Sequence, residues 1–430
     1  MKNCFFISVF FIYCYTSAFA QNWVSLQGGL NSFGRVLYSD SISNRLYVGG
    51  NFYSPDTGII AWNGAAWDTL FKGLNYTGVT AAIRYQNQIY CSGFFFRACT
   101  KWVNGFTRWN GICWDSLNTA GFIIADISEY NNLLYCVGNF DSIGGYYSRN
   151  IIAWNGNVWI PINMPAQLTS NSIAAGVVFQ NKLYLAANVY DTVNNVGYCF
   201  LTWDGNNWGL EGANSGGLIS SMVVYNNELY IGGNNFFGFP CDYLVKYDGT
   251  NFSCVGNYFH GLPYKLRVID DKLFAVGNID TADALHVSNI ATWDGNNWSA
   301  FSNDTFNNTV NDIAVFNSEL YVTGGFTIIN SDSINRIAKY DGWYLGEELP
   351  SKKIDDIKFY PNPVSDNLTI ESSTVEKKSL SIFDILGRQV CYENFSSQKH
   401  TVNVSELAKG IYFLSLQFAK TTYNAKIIKQ

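Results

Sequence analysis

A seven-fold repeat constrains this 430-residue chain more than any other feature. A Leu-Tyr-x-x-Gly type strand recurs at Tyr47, Tyr90, Tyr135, Tyr184, Tyr230, Phe274 and Tyr321, at intervals of 43, 45, 49, 46, 44 and 47 residues. Each is followed by an Ile-Ala-x-Trp-like strand, an Asn-Gly or Asp-Gly turn, and a trailing aromatic. Trp62-Asn63-Gly64 leads to Trp67, Trp203-Asp204-Gly205 to Trp208, and Tyr247-Asp248-Gly249 to Phe252. The seventh copy, Tyr340-Asp341-Gly342, lacks its trailing aromatic. A unit this short cannot bury its own apolar face, so successive copies must stack on one another.

Each copy parses into four short strands. In the fifth, Ile219 to Tyr225 alternates and ends at Asn226-Asn227, a two-residue turn signal. Leu229 to Gly233 and Tyr243 to Tyr247 follow, and Asp248-Gly249 turns the chain into Asn251 to Val255. Four antiparallel strands at this period are the blade of a β-propeller. The strand missing after Gly342 has its match at the other end of the chain. Asn22-Trp23-Val24-Ser25-Leu26 reads like Ala66-Trp67-Asp68-Thr69-Leu70. Pairing residue 23 into the last copy would seal a ring and leave no open edge. The expected fold is all-β: a seven-bladed β-propeller over 21–343, followed by a small immunoglobulin-like β-sandwich. The repeat resembles the kelch and galactose-oxidase-central-domain propellers in their exported bacterial form, a resemblance that specifies fold more than function.

Composition excludes several classes. Aromatics at 17% and charges at 14% rule out intrinsic disorder. A net charge of −6 disfavours an electrostatic grip on nucleic acid or anionic lipid. Residues 1–20 read as a signal peptide: Lys2, an apolar run from Cys4 to Tyr15, and Ala18 and Ala20 at the −3 and −1 positions of cleavage. The run is shorter than the ~20 residues of a spanning helix, and no other run is long enough. Eight cysteines follow the signal, with no C-x-x-C spacing to suggest zinc. Cys241 can pair with Cys254 and Cys91 with Cys99, or the thiols stay free and buried.

After Tyr344 the pattern changes. Residues 344–357 are charged and read as a linker. Residues 358–430 carry a net charge of +3 against −9 for everything before them. This tail contains Tyr360-Pro361-Asn362-Pro363, then Phe383-Asp384-Ile385-Leu386-Gly387-Arg388, then Leu407-Ala408-Lys409-Gly410-Ile411-Tyr412-Phe413, and ends with Lys426-Ile427-Ile428-Lys429. In that order the motifs resemble the type A sorting domain of the type IX secretion system. The resemblance implies a protein from a Gram-negative bacterium, the secretion machinery and its surface peptidase as partners, and a product released or attached to the outer cell surface.

No catalytic constellation stands out. His260 and His286 are assigned to different repeats, and His400 lies in the tail. Nothing assigns the ligands of a galactose-oxidase copper centre. The Asp-Gly-x-x-Trp boxes are one residue shorter than the sialidase pattern, and Arg149 and Arg336 look structural at matching repeat positions. Calcium could use Asp141, Ser142, Asp191, Thr192, Asp280 or Asp283, but their spacing fits no calcium loop, and no cofactor is assigned. The segments 94–107, 139–150, 188–199 and 234–242 are expected as loops on one face, presenting Phe96, Tyr146, Tyr147, Tyr190 and Phe237 to a glycan or protein. A second aromatic column, Phe52, Phe95, Phe140, Phe236 and Phe326, is expected between blades. The expectation is a monomeric ligand-binding module without enzymatic activity; the alternative is a secreted glycoside hydrolase or oxidase on a propeller scaffold.

Overall fold

The computed structural model describes residues 22–70, 73–75, 78–99, 101–117, 123–341, 358–372, 378–384, 389–418 and 421–430. The signal peptide and the 344–357 linker lie outside the described residues. Contacts divide the chain into two compact units, Met1–Leu345 and Gly346–Gln430.

Local sequence fixes the hairpins of the first unit. Gln86-Asn87, Asn131-Asn132, Gln180-Asn181, Asn226-Asn227, Asp270-Asp271 and Asn317-Ser318 all have positive φ at both residues. That is the type I′ geometry whose twist matches the strands on either side. The outer turn is built by side chains. Asn63, Asn110, Asn155, Asp204, Asp248 and Asp294 each accept two backbone N–H bonds from residues two and three further on. Gly at the next position takes φ near +100°, as at Gly205 with 102°. These amide bonds pull the Asp204, Asp248 and Asp294 carboxyls below the usual carboxylate range. The recurring acids are therefore turn formers.

Among the described residues the repeat gives seven antiparallel sheets, each with four strands of the repeat in order from first to last. The first comprises Gly34–Asp40, Arg45–Gly50, Ile59–Trp62 and Trp67–Asp68. In the seventh, Val310–Phe316, Glu319–Gly324 and Ile337–Asp341 are completed by Asn22–Ser25 from the chain start. Trp23 stands opposite Tyr340, as Trp67 stands opposite Trp62 and Trp298 opposite Trp293. The first strands pack side by side in sequence, and Val310–Phe316 packs back against Gly34–Asp40. The arrangement is β-propeller-like.

Neighbouring sheets are joined by bonds that repeat with the sequence. The indole N–H of Trp114, Trp159, Trp208 and Trp298 donates to the carbonyls of Leu70, Leu117, Asn163 and Val255 in the preceding repeat, at 2.9–3.2 Å. Tyr85, Tyr130 and Tyr225 hydroxyls donate to the hairpin turns of the next sheet at Asn132, Asn181 and Asp271. In the aromatic column Phe52, Phe95, Phe140 and Phe326 are buried, while Phe236 is only half-buried.

Three expectations need correction. Cys99 pairs with Cys113, and Cys91 is a buried free thiol; Cys241 does pair with Cys254. Cys91 lies inside the strand Gln88–Gly93, fully buried in a core against which Cys99 also packs, while the bond from Cys99 closes on Cys113. The segment 188–199 is not a loop. Lys182–Asp191 and Val196–Trp203 run on as a paired ribbon, and the strand Glu228–Phe237 takes in the first four residues of 234–242, pairing there with Gly216–Tyr225. Arg97–Ala98 likewise pairs with Lys101–Trp102, and Ser142–Ile143 with Tyr146–Tyr147. Finally, Arg336 corresponds to Asn150 and not to Arg149. Both precede a third strand with φ near +64°, and both reach the next sheet, Asn150 to Ser170 O at 2.9 Å and Arg336 to Leu30 O at 3.1 Å.

In the second unit, one sheet holds Lys358–Tyr360, Asn367–Glu371 and Lys399–Asn403. The other orders Gln389–Phe395, Lys378–Phe383, Gly410–Phe418 and Thr421–Lys429. Val364, Leu368, Ile370 and Val402 share one core with Leu380, Ile382, Leu414, Leu416 and Ile427 from the second sheet.

Candidate functional site

The first strand of the repeat carries a β-bulge in six of the seven sheets, always at the same register. The extra residues are Arg35, Thr80, Ala125, Ser220, Tyr264 and Asn311; Ala174 stands at the equivalent place in the fourth sheet. A bulge re-aims a side chain out of the strand's alternation. All seven residues line one cavity of about 570 Å³, built where the seven first strands converge. A glycine of the second strand makes room for the bulge in five sheets, at Gly50, Gly93, Gly233, Gly277 and Gly324. A Cβ on Gly93 would sit 2.0 Å from Gly78 O, and one on Gly277 2.1 Å from Leu262 O.

The lining divides into fixed and free groups. Thr80 donates to Ile124 O and Asn311 to Gly34 O, at 3.4 and 2.7 Å, and Ser220 donates to Pro263 O. These three tie one sheet to the next. Arg35 Nε donates to Asn51 at 2.7 Å. The Tyr264 hydroxyl and the Lys265 ammonium make no hydrogen bond among the described residues. Asp126 accepts the Gly176 N–H at 3.0 Å. Burial pushes its carboxyl above the usual range and outweighs the pull of Lys265 and that amide. Beneath, Asp312 is fully buried and accepts two bonds from Arg267 at 2.7 and 2.9 Å and one from Leu37 N at 2.9 Å. The site therefore offers hydroxyls, amides and two cations around one half-buried carboxyl, that of Asp126. Among the described residues, no group of three or more His, Cys, Asp or Glu could hold a metal. Asp191 and Asp283 already serve backbone amides.

None of these lining residues belongs to the aromatic set expected from sequence. Phe96, Tyr146, Tyr147, Tyr190 and Phe237 are all exposed and belong to different repeats apart from the adjacent Tyr146 and Tyr147. Tyr146 lines a shallow groove together with Arg108 and Trp159, Tyr190 bonds Asn195, and Phe237 covers Gly216. The seven lining residues stand five positions before the end of each first strand, but the position after them varies as widely, so the sequence does not single them out. Only the bulge reveals which way they point. The two propeller histidines are also closer than expected. His260 and His286 both stand opposite Thr281, so they share one cross-strand row of the sixth sheet.

In the tail, three of the four motifs meet at one end of the fold. Asn362 Oδ1 accepts the Ile428 N–H at 2.9 Å, and Val364 exchanges backbone bonds with Ile428 and Gln430. Gly410 stands opposite Lys429, and Tyr412 stands opposite Ile427 and donates its hydroxyl to Ala408 O. Tyr360 donates to Glu371 at 2.5 Å, and Pro361 and Pro363 both follow cis bonds. Lys426 stands opposite Phe413, which pairs with Phe383 just before Asp384. Gly387 and Arg388 lie outside the described residues, as do Ala18 and Ala20.

Residues 358–430 match the secretion system C-terminal sorting domain. The tail is a sorting domain. The protein is thus delivered by the type IX secretion system and is secreted or attached to the cell surface. No curated protein matches the chain. Among solved structures, it is similar to PorZ, a surface component of the type IX secretion system of Porphyromonas gingivalis, at 13% identity and a TM-score of 0.48. That match covers 95% of this chain and 60% of PorZ, so the chain spans about three-fifths of the length of that relative. It is also similar to the β-propeller domain of the Trilobed protease from Pyrococcus furiosus, at 10% identity and a TM-score of 0.41, over 75% of this chain and 98% of that one. No helix among the described residues is long and apolar enough to cross a membrane.

Proposed function

We propose that residues 21–343 form a seven-bladed β-propeller of the kelch-like kind, carried to the cell exterior by an immunoglobulin-like sorting sandwich, and that it works as a ligand-binding module. The ligand is a polar chain, glycan or peptide, seated in the cavity among the first strands. The convergence of seven bulge-position side chains supports this reading. A structural core needs no polar cavity of about 570 Å³, and ligand sites commonly span about 300–1,000 Å³. Arg35, Tyr264 and Lys265 supply donors that the fold itself leaves available, while Asp126 supplies an acceptor. These donors and this acceptor are what a polar ligand needs, so binding is the proposed activity.

The test uses the mature chain on glycan and peptide arrays, beside an Ala125→Trp variant. Ala125 has no polar role, and its indole replacement fills the cavity. A hit that falls at least tenfold in Ala125→Trp is expected. Binding that is indifferent to the plug would refute the site.

A further inference from the structure

Three departures from the repeat converge at the junction of the fifth and sixth sheets. The residue before each third strand takes a positive φ, and it is Gly58, Gly105, Asn150, Asn289 or Arg336 in five sheets. In the fifth it is Tyr243, at φ +67°. A bulky aromatic there is an outlier, and strain of this kind gathers at ligand sites. The Cys241–Cys254 disulfide brackets the same residue, with a Cα–Cα distance of 5.6 Å. Across from it, His260 Nδ1 bonds Asp280 at 2.8 Å.

The histidine is half-exposed and has a tyrosine ring to either side. The Tyr243 ring meets it edge-on at 5.5 Å between centroids, and the Tyr258 ring lies parallel to it, at 3° and 6.3 Å. Asp283 accepts the backbone N–H groups of Asn257 and Tyr258 at 2.6 and 3.1 Å, which fixes the strand entry that carries Tyr258. Together Tyr243, Tyr258, His260, Asp242 and Asn257 line a cleft of about 320 Å³, and the disulfide forms part of its wall. With Nδ1 on Asp280, the second ring nitrogen is the one left to meet a ligand.

We infer that this cleft is a saccharide subsite. Flat aromatic faces beside groups that both donate and accept hydrogen bonds suit a pyranose, whose ring presents C–H faces and equatorial hydroxyls. The strained tyrosine, the disulfide and the Asp-bound histidine all serve to hold that surface still before a sugar arrives, which lowers the cost of binding. The subsite is separate from the cavity among the first strands and does not depend on it.

The experiment is saturation-transfer NMR on the mature chain with methyl glycosides of glucose, galactose, mannose and N-acetylglucosamine. The variants are Tyr243→Gly, His260→Ala and, as control, Ala125→Trp. Saturation of at least one glycoside is expected, with a loss of tenfold or more in Tyr243→Gly and His260→Ala and none in Ala125→Trp. Glycine relieves the positive φ, so Tyr243→Gly keeps or raises the melting temperature while it loses the sugar. A purely structural tyrosine would behave in the opposite way. Absence of saturation with all four glycosides overturns the inference, as does binding untouched by Tyr243→Gly and His260→Ala. Loss only in Ala125→Trp moves the sugar to the central cavity and equally overturns this subsite.

Discussion

Replacing Trp23 by alanine tests the closure of the ring. In the other sheets the outer strand is joined to its partner by a tight turn, so loss of its aromatic leaves the strand tethered. Asn22–Ser25 is held to Ile337–Asp341 across more than three hundred residues of sequence. Trp23 is 5% exposed and packs on Phe301, Phe306 and Tyr340, with ring centroids 5.9, 5.4 and 4.8 Å away. Its indole N–H donates to Asp304 at 3.1 Å. Core Trp-to-Ala changes cost about 3–5 kcal/mol. For a cooperative unit of about 320 residues, an unfolding entropy of ~2.1 cal/mol/K per residue turns about 4 kcal/mol into a fall of about 6 °C in Tm. Calorimetry reads that shift. Hydrogen exchange locates it, because the amides of 338–341 should lose protection before those of the neighbouring sheets. A cost below about 1 kcal/mol, or unchanged exchange at 338–341, would refute the idea that the N-terminal strand seals the ring.

Further outcomes follow from the charges and the tail. Asp40 is 3% exposed; burial alone would raise its pKa, but the bonds from Arg84 and Ser43 win and hold it at about 2, against 3.8 ordinarily. A depressed folded pKa stabilises fully above pH about 4, and the gain disappears as pH falls from about 4 through about 2, worth about 2 kcal/mol at ~1.4 kcal/mol per unit. Asp40→Asn should therefore flatten this part of the acid arm in a plot of stability against pH, and an unaltered arm argues against the pair. Deleting 358–430 should leave the protein in the periplasm on immunoblots of cell fractions. Surface delivery at the wild-type level would contradict the sorting role.

The sorting tail and the closure were legible because both depend on contiguous motifs. Trp23 announces its place by copying Trp67, and Tyr360-Pro361-Asn362-Pro363 by its order with the motifs that follow. The turns were legible for the same reason: Asn63 or Asp294 needs only the two amides beyond it. The Cys241–Cys254 pair was open to sequence because both lie within one copy. Spacing left Cys99 free to meet Cys91, because it does not say that Cys91 is a buried core residue while Cys113 is the partner.

Sequence by itself determined the repeat, its hairpins, the strand that completes the seventh sheet and the address on the tail, since each is a short-range pattern that identical physics folds identically every time. Tertiary structure alone decided where unlike residues meet. A bulge shifts the two-residue alternation by one, so Arg35, Thr80, Tyr264 and Asn311 face a shared cavity that no strand pattern shows. Strand register, not sequence distance, sets His260 and His286 on one row and brings Tyr243 of the fifth sheet against His260 of the sixth. Function in a repeated fold gathers at such departures, because the repeated positions are already committed to holding the sheets together.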